Sequence, residues 1–196
     1  MTSRVTFISP AMNASLRRAR FDDGASIDTE EAARARAAAG ALPTSVRVAV
    51  SPVVRCRETA TALGIHGAEP TELSALDVGR WRGSDLAEVG AAEPEAVSRW
   101  LADPASAPHG GESVEDLCRR VAFWLEAALD TEGRTLAVVE PEVVRAAVTH
   151  VLGTPSAAFW RLDVPPLTAT TLSGRGGRWN VGLGRPLESS GAVPED

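Results

Sequence analysis

Short apolar runs alternate with alanine-rich or amphipathic segments along most of the chain. Three of the runs predict short buried strands, at residues 5–8, 46–50 and 134–139. Each is followed along the chain by a segment that predicts a helix, at residues 28–42, 52–63 and 141–152. This alternation predicts an α/β fold, a three-layer sandwich whose central sheet is mainly parallel and carries helices on both faces.

The remaining apolar pattern adds one long helix, several short ones and a hairpin. Residues 113–129 are predicted to be helical, because Ser113 and Asp116 have the spacing of a capping box. Apolar residues repeat there at helical spacing and are predicted to face the core: Leu117, Val121, Trp124, Leu125 and Ala128. Shorter helices are predicted at 85–90, 94–102 and 156–161, and a hairpin at 167–172 and 178–183 around Gly174-Arg175-Gly176-Gly177.

Polar, proline-rich and glycine-rich stretches mark the loops and the end of the chain. Residues 9–27 predict a long loop, and Pro52 is predicted to sit in the first turn of the helix at 52–63. No internal repeat or second composition is evident, so residues 1–184 are expected to form a single domain. Residues 185–196 are poor in apolar side chains and predict a disordered tail.

A net charge of −6, with no basic stripe, removes several classes of function. Nucleic-acid binding needs clustered positive charge, so no nucleic-acid partner is expected.

No apolar run approaches the roughly 20 residues that cross a membrane, and the N-terminus lacks a secretory pattern, so we expect a cytoplasmic protein without membrane contact. Cys56 and Cys118 are too few for a disulfide framework, and no motif indicates a metal or another cofactor.

Three predicted strands end in similar dipeptides, which points to a common site. Ser9-Pro10, Ser51-Pro52 and Glu140-Pro141 each follow a strand. Ligands of parallel α/β sheets bind beyond the carboxyl ends of the strands. The topology alone therefore predicts a site around Ser9, Arg55 and Glu140.

Several sequence blocks occur in an order that resembles a known family. They are Ser51-Pro52-Val53-Val54-Arg55-Cys56-Arg57-Glu58-Thr59, the Gly79, Trp81 and Gly83 pattern, Gly110-Gly111-Glu112-Ser113 and Val139-Glu140-Pro141. Together they resemble the histidine phosphatase superfamily, the phosphoglycerate-mutase-like proteins. The resemblance covers roughly residues 4–183 and implies the phosphoglycerate-mutase-like form of the α/β sandwich.

The resemblance also implies a degenerate catalytic centre. The positions of the family's first arginine and nucleophilic histidine hold Ser9 and Pro10, its proton donor is replaced by Ala75, and its partner histidine by Glu140. Arg55 matches a phosphate-binding arginine and is retained. Proline has no nitrogen able to attack phosphorus, so the resemblance implies that phosphohistidine catalysis is lost.

Arg55, Glu140 and Ser9 are the central candidates for the site. Arg55 is interpreted either as a clamp for an anionic ligand or as the partner of Glu140 in an ion pair. Glu140 is interpreted either as a general acid or base whose pKa burial raises, or as a member of that structural pair. Ser9 is a further candidate for ligand binding.

Three residues in loops complete the candidates. Asp77 is either a substitute acid near the missing proton donor or a turn residue. His109 and Glu112 lie in a glycine-flanked loop that is expected to overhang the site. His109 is either a proton shuttle or a solvated loop residue. Glu112 either binds a ligand or is held by backbone amides or an arginine.

Three functions remain open from the sequence. The first is a pseudoenzyme that binds a small ligand or a protein partner in the former catalytic cleft. The second is an enzyme of a different reaction class, in which Glu140 performs acid–base chemistry, with Asp77 or His109, and Arg55 holds an anion. The third is a residual phosphatase or phosphomutase with an unconventional nucleophile. The oligomeric state stays open.

Overall fold

A computed structural model describes residues 3–45, 47–130, 133–175 and 178–187 of the 196-residue chain. The strands are β1 (Ser3–Ile8), β2 (Arg47–Val50), β3 (Gly133–Val138), β4 (Thr168–Arg175) and β5 (Arg178–Pro186). The α-helices are α1 (Ala14–Arg17), α2 (Thr29–Ala38), α3 (Val54–Ala62), α4 (Leu86–Ala92), α5 (Pro94–Ala102), α6 (Val114–Asp130) and α7 (Pro141–Leu152). Short 3₁₀ helices cover Ala39–Ala41, Thr71–Leu73, Gly79–Trp81 and Ser156–Arg161.

The strands form one mixed sheet in the order β2-β3-β1-β4-β5. β1, β2 and β3 run parallel, whereas β4 pairs antiparallel with both β1 and β5. The predicted parallel strands and the predicted hairpin are thus both present. Two residues of the predicted hairpin turn, 176 and 177, lie outside the described residues. The parallel pairs bring the ends of β1, β2 and β3 to one edge of the sheet.

Helices cover both faces of the sheet. Alternate side chains of a strand point to opposite faces, and Phe7 and Ile8 of β1 accordingly belong to different cores. The Phe7 core contains the apolar faces of α6 and α7, and the Ile8 core contains those of α2 and α3. Burial on both faces explains why each parallel strand ends in consecutive apolar residues. The predicted three-layer α/β sandwich is confirmed.

The helix α6 starts and packs as its sequence predicts. The Ser113 hydroxyl accepts the backbone N–H of Asp116 at 3.1 Å and donates to the Asp116 carboxylate at 2.7 Å, which caps the helix. Leu117, Val121 and Leu125 are fully buried. The other predicted core residues, Trp124 and Ala128, are partly buried against the same core.

Two predicted boundaries need correction near the start of the chain. Pro52 is not in the first turn of α3, because Val53 is the N-cap residue and the helix begins at Val54. The predicted loop 9–27 contains the short helix α1. Its start is stabilised by Asn13, whose side chain accepts the backbone N–H of Leu16 at 3.0 Å.

The first three residues of the predicted disordered tail, 185–187, are instead part of the fold. Arg185 and Pro186 belong to β5, and Leu187 is buried, with its backbone N–H bonded to the Leu167 carbonyl at 2.9 Å. Residues 188–196 lie outside the described residues. Among the helices of the described ranges, none combines the length and apolarity that crossing a membrane requires.

Candidate functional site

A cleft of about 650 Å³ opens at the carboxyl edge of the parallel strands. Arg55 enters it from the first turn of α3, which follows β2. Glu140 enters it as the N-cap residue of α7, which follows β3. The β-strand–helix connections therefore bring these two candidates together, although 84 residues separate them along the chain.

Arg55 and Glu140 form a buried, bidentate ion pair. Arg55 Nε donates to Glu140 Oε1 at 3.1 Å, and Arg55 Nη2 donates to Glu140 Oε2. The two residues are only 4% and 5% exposed. Arg55 Nη1 also donates to the Ala11 carbonyl at 3.4 Å. Most of the hydrogen-bonding capacity of this guanidinium is therefore used within the protein.

Burial and charge act against each other at this pair. Burial lowers the pKa of Arg55, but the charge and hydrogen bonds of Glu140 outweigh it, so that the pKa is raised overall. The neighbouring Cys56 thiol donates to Glu140 Oε1 at 3.3 Å. Burial, with the charge of Glu140, raises the pKa of Cys56 well above its usual value. The thiol is thus held protonated, which does not suit a nucleophile.

Ser9 and Pro10 follow β1 but do not line the cleft. Ser9 is 1% exposed, and its hydroxyl is held by the Pro165 carbonyl and by Thr168. The backbone N–H of Thr168 donates to Ser9 Oγ at 3.1 Å. Ser9 therefore joins β1 to the start of β4, and the structure does not bring its hydroxyl to the cleft.

Asp77 and Ala75 line the cleft, but Asp77 is also a turn residue. Its Oδ1 accepts the backbone N–H of Gly79 at 2.9 Å, which is the hydrogen bond of an Asx turn. Its own carbonyl accepts the N–H of Glu112 at 2.7 Å. A Cβ on Gly111 would stand 2.1 Å from that carbonyl, so the close approach requires glycine. The side chain of Asp77 is exposed at the edge of the cleft.

His109 lies behind the cleft and does not overhang it. It is 1% exposed, in contact with the rings of Trp81 and Trp100 at centroid distances of 5.0 and 6.0 Å. Its Nδ1 accepts the N–H of Gly111 at 3.1 Å, and burial lowers its pKa. Neither expectation, a proton shuttle over the site or a solvated loop residue, describes this position. No local feature of the sequence indicates that this loop packs against a cluster of aromatic rings.

Glu112 is held by an arginine outside the cleft. Arg120 Nε and Nη2 donate to its two carboxylate oxygens at 2.7 and 2.8 Å. Arg120 also donates to the carbonyls of Glu72 and Ala75. The structure therefore shows the arginine-held alternative for Glu112, which ties α6 to the segment before Asp77.

The wall of the cleft is largely apolar and aromatic. Its members come from the loop after β1, the 73–81 segment, α5 and the 156–164 segment: Leu16, Phe21, Leu76, Val78, Trp100, Trp160 and Val164. Trp100 and Trp160 meet edge to face at a centroid distance of 4.5 Å. Such ring contacts fix the wall more firmly than aliphatic packing alone.

Two charged residues of α7 also line the cleft. Neither was predicted from the sequence to be a site residue. Glu142 lies in the first turn, and Arg145 lies one turn further on. Burial, followed by the charge of Glu140, raises the pKa of Glu142 to about 7. For Arg145, the sequence signal was its match to an arginine that the family resemblance places one helical turn after Glu140. For Glu142, it was the position two residues after Glu140. An acid in a first helical turn is so common that this signal has little force.

No group of three or more histidine, cysteine, aspartate or glutamate side chains within the described residues could hold a metal ion.

Comparison with known proteins identifies the family. The profile of the Histidine phosphatase superfamily (branch 1) matches residues 13–184. The chain belongs to the histidine phosphatase superfamily. The match starts downstream of Ser9 and Pro10, the positions that the sequence resemblance gave to the family's arginine and nucleophilic histidine.

Solved structures of the superfamily have the same fold. Mycobacterial glucosyl-3-phosphoglycerate phosphatase Rv2419c superposes with a TM-score of 0.83 at 22% identity, over 95% of this chain and 100% of that one. The alpha-ribazole phosphatase from Shigella flexneri gives a TM-score of 0.83 at 15% identity, over 97% and 100% of the two chains. Likeness at these identities establishes the fold alone, and it confirms the phosphoglycerate-mutase-like architecture.

Curated relatives match over shorter stretches. The bifunctional protein Rv2228c of Mycobacterium tuberculosis (strain ATCC 25618 / H37Rv) is 36% identical over 123 residues, which are 60% of this chain and 34% of that protein. The glucosyl-3-phosphoglycerate phosphatase of Mycolicibacterium vanbaalenii is 40% identical over 74 residues, 36% of this chain and 33% of that protein. The matched stretches thus span about a third of the length of these relatives.

Proposed function

We propose that the chain is a ligand-binding member of the histidine phosphatase superfamily that has lost phosphohistidine catalysis. The observation that carries the proposal is the buried ion pair between Arg55 and Glu140. By the family resemblance, Arg55 corresponds to a phosphate-binding arginine and Glu140 to the partner histidine. By this resemblance, the two residues that correspond to phosphoryl-contacting side chains in other members are here paired with each other.

Electrostatics disfavour a phosphate dianion at this pair. Glu140 already neutralises the positive charge of Arg55, and its carboxylate repels a second anion. One such repulsion at about 4 Å costs about 4 kcal/mol at an effective dielectric constant of about 20. A phosphate group at this position would therefore lack the attraction of a free Arg55 and would be repelled by the Glu140 carboxylate.

The positions of the histidines also support the proposal. The chain has three histidines, and all of them belong to the described residues. None lines the cleft. His66 is exposed after α3, His109 is buried behind Trp81 and Trp100, and His150 is exposed near the end of α7. No imidazole is thus available in the cleft to replace the one that Pro10 cannot supply.

A phosphatase with an unconventional nucleophile is the second candidate. The comparisons favour it, since the relative from Mycolicibacterium vanbaalenii and the superposed mycobacterial structure both carry phosphatase names. It requires that Arg55 leave Glu140 in order to hold the phosphoryl group. The remaining alternative, acid–base chemistry by Glu140, needs a free carboxyl and is disfavoured by the same ion pair.

Hydrolysis of p-nitrophenyl phosphate separates the two candidates. The wild-type chain is expected to release nitrophenol at the same rate as an Arg55→Ala/Glu140→Ala variant prepared in parallel, because neither contains a nucleophile for phosphorus. The variant reports the background from contaminating phosphatases. A wild-type rate that exceeds the variant's at constant purity would establish the phosphatase and refute the loss of catalysis.

A further inference from the structure

The arginines that line the cleft differ in whether they have acidic partners. Five of them line it among the described residues. Four form ion pairs: Arg20 with Asp85, Arg55 with Glu140, Arg57 with Glu69 and Arg82 with Asp22. Arg145 forms none with any described residue. Among the described arginines of the cleft, it alone has no ion pair, and such a half-buried guanidinium is suited to an anionic ligand.

Arg145 is held in a fixed orientation. Its Nε donates to the Leu162 carbonyl at 2.7 Å. Its guanidinium carbon lies 5.9 Å from the ring centre of Phe159 and 5.8 Å from that of Trp160, within cation–π range. The two Nη atoms make no hydrogen bond to the described residues. A guanidinium anchored through Nε presents these two atoms as a preformed fork for one carboxylate.

The charge of this part of the cleft matches one negative charge on a ligand. Arg55 and Glu140 cancel each other, which leaves Arg145 and Glu142. No ion pair joins these two residues, although they lie three positions apart on α7. The Glu142 carboxyl interacts with the charges of Glu140, Arg55 and Arg145 and with its own backbone N–H. Its charge in turn helps to raise the pKa of the Cys56 thiol. The net charge is therefore +1 when Glu142 is protonated and zero when it is ionised.

The rest of the cleft favours an apolar body on the ligand. Arg145 lies beside Trp160, which in turn touches Trp100, and both rings belong to the cleft wall. The remaining charged residues of the wall, apart from Asp77, are already paired. An apolar or aromatic group can therefore be buried against Trp100 and Trp160 while a carboxylate reaches Arg145.

We propose that the cleft binds an organic monocarboxylate with an apolar or aromatic body, and that binding is accompanied by proton uptake at Glu142. The carboxylate of the ligand occupies the Nη fork of Arg145, and the body lies against Trp100 and Trp160. The inference rests on the proposed function, because it requires Arg55 and Glu140 to remain paired. Ionised Glu142 would repel the carboxylate, whereas protonated Glu142 does not and can donate a hydrogen bond.

Calorimetric titration with 3-phenylpropionate tests the inference, with 3-phenylpropionamide as its neutral match and inorganic phosphate as a dianion. The acid is expected to bind the wild-type chain more tightly than the amide or phosphate does. Its affinity should fall about tenfold between pH 6 and pH 8, since the pKa of Glu142 lies at about 7. Titration in Tris and in Hepes measures the protons taken up.

Variants give the test its controls. Arg145→Gln should lower the affinity for the acid at least tenfold, and Glu142→Gln should abolish both the pH dependence and the proton uptake. Arg119→Gln, which removes an exposed arginine that is paired with Asp116 and lies outside the cleft, should leave binding unchanged. Failure of the acid to bind, equal binding of the amide, or pH-independent wild-type binding would each overturn the inference. The hydrolysis assay judges the proposed function independently of these results.

Discussion

Replacing Glu140 by alanine is expected to lower the free energy of unfolding by about 3–5 kcal/mol. The change leaves the Arg55 guanidinium buried, at 4% exposure, without its counter-charge. It also removes the acceptor of the Cys56 thiol. Within the described residues, the remaining hydrogen-bond acceptor of the Arg55 side chain is the Ala11 carbonyl, which carries no formal charge. Urea denaturation at pH 7, monitored by tryptophan fluorescence, measures the loss.

Two variants separate the cost of an unpaired charge from the loss of an ion pair as such. Asp22→Ala breaks the exposed pair with Arg82 and should cost no more than about 1 kcal/mol. Arg55→Met/Glu140→Leu replaces both buried charges by apolar groups and should restore stability to within about 1 kcal/mol of the wild type or better. If Glu140→Ala alone cost less than 1 kcal/mol, the pair would not be desolvated as the structure shows.

Replacing Glu142 by glutamine is expected to stabilise the chain by about 2 kcal/mol at pH 8 and to have no effect near pH 4. Burial raises the pKa of Glu142 from 4.5 to about 7 in the folded state. Between these values the folded state binds more protons than the unfolded state. The stability of the wild type therefore falls as pH rises through this window. The full shift corresponds to about 3 kcal/mol, and water in the open cleft reduces it.

Urea denaturation at pH 4.5, 6, 7 and 8 measures this effect as the difference between wild type and variant. Glu95→Gln is the matched control, because Glu95 is an exposed acid in the first turn of α5. Its difference from the wild type should be small and should not grow with pH. A Glu142→Gln difference that is flat across the same range would contradict the raised pKa. Such a destabilising residue in a cleft is typical of a site kept for function.

Local signals in the sequence predicted much of the fold. α5 and α7 begin where a proline stands at their first helical position, and both span the predicted residues. α6 begins after Ser113 because Ser113 and Asp116 form the predicted cap. Pro52 was misassigned because a proline is compatible with the residues just before a helix as well as with its first turn.

The site was less predictable, because its properties depend on contacts between distant segments. The rule that ligands bind beyond the strand ends brought Arg55 and Glu140 together correctly. The sequence could not decide between a free Glu140 and a paired one, since that depends on how the first turns of α3 and α7 face each other. His109 is buried by Trp81 and Trp100, and the raised pKa of Glu142 arises from burial and from Glu140. Neither property is local.

The central claim, that this chain forms no phosphoenzyme, is tested most directly by intact-mass spectrometry after incubation with p-nitrophenyl phosphate and an alkaline quench, which preserves phosphohistidine. A superfamily member that retains histidine after its first strand serves as the positive control. Only the unmodified mass is expected for this chain, because Pro10 offers no attacking nitrogen and Arg55 is engaged by Glu140. A phosphorylated species, mapped by peptide sequencing to His66, His109, His150 or any other side chain, would contradict the account.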